Sequence, residues 1–166
     1  MLSRWRPATT ASASSAQSSS ARWSSGSRSI AFIATAPATA DARGVLPAAV
    51  PRAIALHQMA QVGAMVAACW ANDLALLGRA IDDRIAEPAR APLIPGFVEA
   101  KQAALDAGAL GASISGAGPT AFALTDGDDL ASRVAAAMAD AYARCGIACQ
   151  VRVTEVDRDG ARVEVE

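Results

Sequence analysis

The stretch from Gly111 to Thr120 reads GASISGAGPT and holds the residue types best suited to chemistry in this chain. Gly116 and Gly118 can adopt positive φ values, and the small side chains around them let the backbone approach another group closely. Successive exposed N–H groups in such a bend form a concave site for an anion such as a phosphate group, and Ser115 can add a hydroxyl donor. The stretch therefore predicts a phosphate-binding loop, although a plain structural turn has the same local composition.

The loop differs from two widespread phosphate-binding sequences. No Gly-Lys-Ser/Thr follows it, as a P-loop requires, and it does not connect a strand to the start of a helix, as a dinucleotide fingerprint does. It stands instead between two short strand candidates, Ala112–Ser115 and Thr120–Leu124. The sequence thus indicates a loop between strands rather than a helix-linked phosphate site.

The segment SISGAGPT, with ALGA before it and AFAL after it, resembles the third conserved motif of the GHMP kinase superfamily. The serines, both glycines and the Pro-Thr exit coincide with that motif. In the superfamily this loop lies against the phosphates of the nucleotide and against the substrate. The resemblance implies that Ser113, Ser115, Gly116, Ala117 and Gly118 form a nucleotide-phosphate loop and that ATP and Mg²⁺ are the cofactors.

Two further segments are similar to parts of homoserine kinases: TADARGVLP at residues 39–47 and IAEPARAPLIPGF at residues 85–97. In that family, arginines at the positions of Arg43 and Arg90 hold the amino-acid substrate, and a threonine at the position of Thr39 lies near its hydroxyl. A guanidinium donates two parallel hydrogen bonds to a carboxylate and stays charged at every working pH, which suits homoserine. Without the resemblance, a solvated surface position is the better interpretation of either arginine.

The fold that the resemblance implies is α+β: a GHMP-kinase C-terminal-type, ferredoxin-like sandwich of helices on a mainly antiparallel sheet. Apolar periodicity agrees with helices followed by strands. Four helices are predicted, from the stripe Met59, Val62, Val66 and Cys69, from Leu74, Leu77, Ile81 and Ile85 after an N-cap at Asn72, from residues 96–107 ending at Gly108, and from Leu130, Val134, Met138, Ala141 and Cys145 ending at Gly146. Besides the strands flanking the loop, strands are predicted at residues 30–34 and in a closing hairpin of residues 149–153 and 161–165.

Composition divides the chain near residue 30. Residues 1–29 are rich in Ser, Ala and Arg, contain no acidic residue and show no periodicity, which predicts a disordered tail. Two origins remain open for this tail: a targeting leader, or a shifted reading frame joined to a genuine C-terminal half. Residues 30–51 are interpreted as a remnant of a preceding domain with a substrate-contact segment, and residues 52–166 as the GHMP kinase C-terminal domain.

Polar residues outside these segments are interpreted as structural, and no catalytic residue or metal ligand is assigned. His57 has no matched partner for base catalysis, and Asp82 and Asp83 beside Arg84 fit a solvated helix face. The carboxylate of Glu87 is a candidate for orienting the second substrate arginine.

The charge balance excludes several classes of partner. With 15 basic and 16 acidic residues and a formal net charge of −1, the chain has no electrostatic footprint for nucleic acid or for an anionic membrane surface. The cysteines Cys69, Cys145 and Cys149 have neither zinc-site nor disulfide-framework spacing. We therefore expect a cytoplasmic protein with reduced thiols that acts on a small molecule, without nucleic-acid or membrane partners, and a homodimer is left open.

The same resemblance implies that a homoserine kinase carries its main ATP-binding loop and its acidic magnesium ligand in an N-terminal domain. No segment of this sequence matches that loop, so the chain alone is expected to show little or no kinase activity. Two other functions stay open. One is a GHMP kinase of mevalonate or galactose type, and the other is a non-catalytic α+β module that binds an amino acid or mediates oligomerisation.

Overall fold

The computed structural model describes residues 27–34 and 39–155, which form four strands and six helices. A short 3₁₀ turn, Ala91–Leu93, joins two of the helices. The strands are β1 (Ser27–Ala34), β2 (Gly111–Ile114), β3 (Thr120–Asp126) and β4 (Cys149–Glu155). The helices are α1 (Thr39–Gly44), α2 (Arg52–Ala71), α3 (Leu74–Ala80), α4 (Ala86–Arg90), α5 (Phe97–Asp106) and α6 (Asp128–Arg144).

The strands form one antiparallel sheet in the order β2-β3-β1-β4. The inner strand β1 pairs with β3, with Ile30 opposite Ala123, and with β4, with Ile30 opposite Val153. A strand, helices, two strands, a helix and a final strand in this order make a ferredoxin-like arrangement. The predicted α+β sandwich on an antiparallel sheet is therefore confirmed.

Helices α5 and α6 pack against each other and against the sheet, and the core lies between these layers. Helix α5 follows Gly96, which has a φ of 78°, and ends before Gly108, which has a φ of 101°, as the predicted glycine boundary requires. The buried face of α6 includes Val134, Met138 and Ala141, as predicted, but Cys145 is exposed because the helix ends at Arg144. Tyr142 takes the buried position instead.

The N-terminal boundary of the ordered sheet differs from the prediction. Strand β1 begins at Ser27, so residues 27–29, predicted to belong to a disordered tail, are part of the strand. Their pairing with residues 124–126 of β3 supplies the hydrogen bonds that composition alone does not reveal. The rest of the predicted tail and the second strand of the closing hairpin, residues 161–165, lie outside the described residues. The domain division at residues 30 and 52 remains a prediction, although β1 shares its sheet with later strands.

The segment after α2 was predicted with the wrong cap and the wrong helix length. Asn72 ends α2 in a left-handed conformation with a φ of 54°, and Asp73 is the N-cap of α3, because its Oδ1 accepts a hydrogen bond from the Leu76 amide at 2.8 Å. Helix α3 ends at Ala80, so Ile81 and Ile85 do not continue its apolar stripe.

The predicted apolar stripe of α2 exists, but it does not belong to the core. Met59, Val62 and Val66 are 70%, 63% and 65% exposed, and α2 packs mainly against α3. By length and composition alone, α2 could cross a bilayer, with a mean hydropathy of 1.2. Periodicity therefore located the helix correctly, but it did not show what contacts its apolar face.

A close glycine contact joins α3 to the edge strand β2. A Cβ added to Gly78 would lie 2.6 Å from the carbonyl carbon of Leu110, and one added to Gly111 would lie 2.6 Å from the carbonyl oxygen of Gly78. The two backbones can approach this closely only because neither residue has a side chain.

Replacing Gly78 with Ala is expected to lower the free energy of unfolding by about 1–3 kcal/mol, because the new methyl group overpacks a backbone contact. Gly44→Ala, also in a helix, is the matched control, since a Cβ there meets no atom within 4 Å. It should leave the free energy of unfolding unchanged or raise it slightly, because alanine favours a helix more than glycine does. Urea denaturation of both variants measures the difference. Equal stabilities would contradict the close contact of α3 with β2.

Burial raises the pKa of Tyr142 to about 12, with smaller contributions from Cys149 and Cys145. Because the folded state favours the neutral phenol, its contribution to stability is complete below pH 10 and is lost as pH rises from 10 to 12. Tyr142 is the only tyrosine of the chain, so absorbance at 295 nm should show one transition near pH 12. The denatured chain should titrate near its ordinary value of about 10, and a folded-state transition there, with near-ultraviolet circular dichroism intact, would contradict the burial.

Candidate functional site

The loop between β2 and β3 is a compact bend closed by its own backbone. The Ser115 amide donates to the Thr120 carbonyl at 2.7 Å, and the Gly118 amide donates to the Ser115 carbonyl at 3.1 Å. Gly116 has a φ of 61° and Gly118 a φ of 84°, so both occupy the left-handed region that glycine adopts readily. The sequence pattern predicted both the position of this bend and the conformation of its two glycines.

One side of the loop is packed and the other is open. A Cβ added to Gly118 would lie 2.6 Å from Cδ1 of Ile94, whereas one added to Gly116 would meet no atom within 4 Å. Within residues 27–34 and 39–155, the Gly116 and Ala117 amides have no hydrogen-bond acceptor. Two successive amides without an acceptor are the kind of donors that an anion-binding bend has.

The guanidinium of Arg90 connects the loop to α1. Its Nη1 donates to the Gly116 carbonyl at 2.7 Å, and its Nε donates to the Ala42 carbonyl at 3.0 Å. Arg90 is the last residue of α4, whose start is fixed by Asp83: the carboxylate of Asp83 accepts from the amides of Ile85 and Ala86 at 2.8 Å each. Arg90 is thus held next to the phosphate-loop candidate from one side and next to α1 from the other.

Of the other predicted substrate residues, Arg43 follows Ala42 in α1 and is exposed. Its backbone therefore lies beside the carbonyl that Arg90 contacts. Thr39 is the first residue of α1, and its side chain lies outside the described part. The structure thus brings together the helix that carries Thr39 and Arg43, the side chain of Arg90 and the glycine loop.

A polar cluster behind Arg90 links α4 to β2 and α5. The Glu87 carboxylate, 13% exposed, accepts a hydrogen bond from the Ser113 hydroxyl at 2.6 Å through one oxygen and binds the Lys101 ammonium through the other. Ser113 was predicted in the phosphate loop, but it lies in β2, is buried, and directs its hydroxyl to Glu87. Glu87 was a candidate for orienting Arg90, whereas its observed partners are Ser113 and Lys101.

Lys101 was missed at the sequence level, yet composition held a signal. It is the only lysine among the 15 basic residues of the chain. A single lysine in a chain that otherwise uses arginine is a signal for a specific partner. The carboxylate of Glu87, 14 residues earlier in the sequence, is that partner.

His57, Asp82 and Arg84 form a second polar group between α2 and the segment after α3. The carboxylate of Asp82 lies 2.9 Å from Nε2 of His57 and 2.9 Å from Nη2 of Arg84. Burial acts to raise the pKa of Asp82, but the hydrogen bonds and charges of Arg84 and His57 outweigh it and hold the pKa below its usual range. Asp82 and Arg84, predicted on a solvated helix face, therefore lie outside any helix, and their contacts with each other and with His57 connect α2 to the chain that leads into α4.

The part of the chain that the structure describes contains no group of three or more His, Cys, Asp or Glu side chains able to hold a metal ion. Cys69, Cys145 and Cys149 are free thiols.

Comparison with known protein families assigns this sequence to a family. The family model described as GHMP kinases C terminal matches residues 57–144, a little more than half of the chain. The chain belongs to the GHMP kinase family. The matched region of this GHMP kinase chain runs from α2 to α6 and includes Arg90 and the glycine loop, whereas Thr39 and Arg43 precede it.

Similar proteins agree with this membership. The chain is 46% identical over 127 residues to a homoserine kinase of Chlorobaculum tepidum, covering 75% of this chain and 39% of that protein. It is 40% identical over 127 residues to a homoserine kinase of Arabidopsis thaliana, covering 75% and 34%. Its fold matches the crystal structure of a homoserine kinase from Cytophaga hutchinsonii with a TM-score of 0.77 and 41% identity, over 79% of this chain and 42% of that one. The chain thus spans about two fifths of the length of these homoserine kinases.

The Lys101→Met substitution tests the cluster behind Arg90. It should lower the free energy of unfolding by roughly 1–3 kcal/mol, because it leaves a mostly buried carboxylate without its charged partner. Arg84→Met is the matched control: it removes an ion pair whose side chains are 56% and 40% exposed and should cost less than about 1 kcal/mol. Urea denaturation compares them. If both variants lose the same small amount, the cluster does not hold α4 in place.

Proposed function

We propose that this chain forms the part of a homoserine kinase that binds the amino acid and faces the phosphates of ATP. The reaction is the ATP-dependent phosphorylation of the hydroxyl of L-homoserine, which belongs to threonine biosynthesis in the cytoplasm. The observation that carries the proposal is the position of Arg90, whose guanidinium contacts both the Gly116 carbonyl and the Ala42 carbonyl. The names of the relatives, at 40–46% identity, support the same substrate.

Arg43 and Arg90 supply the positive charge for the substrate carboxylate. In the described contacts Arg90 uses Nε and Nη1 for backbone carbonyls, and a guanidinium has five N–H donors, so donors remain for a carboxylate. Thr39, at the start of the same helix as Arg43, would lie near the hydroxyl end of homoserine. Anchoring the carboxylate fixes the short chain of homoserine and so limits where its hydroxyl can lie.

The loop contributes charge stabilisation at the other end of the site. The amides of Gly116 and Ala117, with the hydroxyl of Ser115, would donate to phosphate oxygens as negative charge redistributes over them. The homoserine oxygen attacks the γ-phosphorus while the bond from that phosphorus to the bridging β,γ-oxygen breaks, and the hydroxyl proton leaves to solvent. ADP and O-phosphohomoserine are the products.

GHMP kinases use ATP with Mg²⁺, and the residues of this chain suit the phosphates of ATP but not the metal ion. Two amides and one hydroxyl suit phosphate oxygens, whereas no carboxylate cluster among the described residues suits the metal ion. When bound, magnesium neutralises phosphate charge. The residues of this chain orient the acceptor and donate hydrogen bonds.

Isothermal titration of the chain with L-homoserine tests the proposal. Binding should be detectable, and Arg90→Lys should weaken it by roughly 10-fold or more, because an ammonium cannot reproduce the bidentate geometry or the two backbone contacts of the guanidinium. Arg79→Lys, on the exposed side of α3, is the control and should bind like the unmodified chain.

Titration with mevalonate separates the proposal from its nearest alternative. Binding of mevalonate in place of homoserine would assign the chain to a different kinase of the family. Homoserine binding that is insensitive to Arg90→Lys would contradict the assigned role of this arginine.

A further inference from the structure

Two consecutive side chains of α2 hold the three-residue segment Asp82-Asp83-Arg84. Nε2 of His57 lies 2.9 Å from Oδ2 of Asp82, and Oε1 of Gln58 accepts a hydrogen bond from the Arg84 amide at 3.1 Å. That amide belongs to the peptide unit that joins Asp83 to Arg84, and a peptide unit moves as a rigid plane. Contacts with α2 therefore restrain the residues on both sides of Asp83.

The carboxylate of Asp83 accepts the hydrogen bonds of the amides at the start of α4. Its Oδ1 accepts from the amides of Ile85 and Ala86 at 2.8 Å each. Its Oδ2 accepts from the Glu87 amide at 3.2 Å, and Pro88, the next residue, has no amide hydrogen. One carboxylate thus satisfies the donors of residues 85–88, which have no acceptor within the helix, so a displacement of Asp83 affects the whole first turn.

The guanidinium of Arg90 lies one helical turn from this start. Arg90 is four residues beyond Ala86, about 6 Å along the helix axis. Its Nε donates to the Ala42 carbonyl at 3.0 Å and its Nη1 to the Gly116 carbonyl at 2.7 Å, and such hydrogen bonds weaken steeply when their angle is distorted. The contacts that α2 makes with residues 82–84 therefore reach the guanidinium through a single turn of helix.

These contacts of α2 contribute little to the stability of the domain. The side chains of His57 and Asp82 are 20% and 40% exposed, and partly exposed pairs of this kind contribute little to folding. Because α2 packs mainly against α3, loss of the contacts should leave the helix pair intact. Their effect is therefore expected in the direction of the Arg90 side chain rather than in the free energy of unfolding.

We propose that His57 and Gln58 are positioning residues for Arg90. From α2 they hold the residues on either side of Asp83, and the Asp83 carboxylate transmits that position to α4 and to the guanidinium at its end. This role rests on the proposed function, in which Arg90 binds the carboxylate of homoserine. Both residues act on the substrate through other residues of this chain.

The exchange of the Arg90 Nε proton with water tests the positioning without any ligand. In the unmodified chain this proton should be protected, because it is donated to the Ala42 carbonyl, and ¹H–¹⁵N NMR measures its exchange rate. Arg90→Lys identifies the signal by removing it. The His57→Ala/Gln58→Ala double variant should raise the exchange rate by roughly 10-fold, because the hydrogen bond then opens more often.

Gln102→Ala is the matched control, because it also removes a glutamine side chain from a helix. The Gln102 amide donates to Asp106 of the same helix at 2.8 Å, so its loss should leave the exchange rate of the Arg90 proton unchanged. Urea denaturation of each variant distinguishes a displacement of Arg90 from a general loss of stability.

Isothermal titration with L-homoserine tests whether the positioning matters for binding. His57→Ala and Gln58→Ala should each raise the dissociation constant by roughly 3-fold or more, as expected for the loss of one hydrogen bond. His57→Gln should not, because its amide nitrogen can replace Nε2 as the donor to Asp82. In an Arg90→Lys background neither alanine variant should have a further effect, because residues that act through one another are not additive.

The outcomes separate this role from the proposed function. If no homoserine binds, the proposed function fails, and the exchange rate of the Arg90 proton still decides the positioning role. If homoserine binds and either the exchange rate or the dissociation constant is unchanged in the alanine variants, the positioning role is overturned while the proposed function stands. Effects that persist in full in the Arg90→Lys background would also overturn it, because they would not pass through the guanidinium.

Discussion

The guanidinium of Arg90 is the contact on which the site depends, because it holds together segments that are far apart in the chain. It binds the carbonyl of Ala42, 48 residues earlier, and that of Gly116, 26 residues later. Each bond joins a charged donor to a backbone acceptor, and such bonds are stronger than those between neutral groups. The position of α1 relative to the loop between β2 and β3 therefore depends on one side chain at the end of α4.

The short helix α4 can hold Arg90 in place only because its first turn is attached to neighbouring residues. Asp83 accepts hydrogen bonds from the amides at the start of the helix, and Glu87, its second residue, binds Ser113 of β2 and Lys101 of α5. Five residues are too few for a helix to be stable by itself, so these side-chain contacts replace the packing that a longer helix would provide. The rigid sheet and α5 thus determine where the guanidinium points.

The elements that sequence located well are those whose signals are local. The glycines around α5 and in the loop between β2 and β3 mark conformations that few other residues adopt, and the structure has them there. The errors concern choices that local patterns leave undecided. Asn72 and Asp73 are both good caps, and only the fold selects Asp73. The partners of Glu87 lie 14 and 26 residues away, and periodicity cannot show that Met59 and Val66 face outward. The substrate roles of Thr39, Arg43 and Arg90 rest on family resemblance, because an arginine on a short helix has no local signature of function.

The single lysine of the chain has a consequence for its covalent chemistry. Amine-directed reagents find only one side-chain target in this sequence, and that ammonium is 24% exposed and bound to the Glu87 carboxylate. Acylation requires that the reagent reach the amine nitrogen, and the contact with Glu87 limits that access. The acylation rate of Lys101 in the native protein therefore depends on how readily its ammonium leaves the Glu87 carboxylate, so it reports on the contact between α4 and α5 without a mutation.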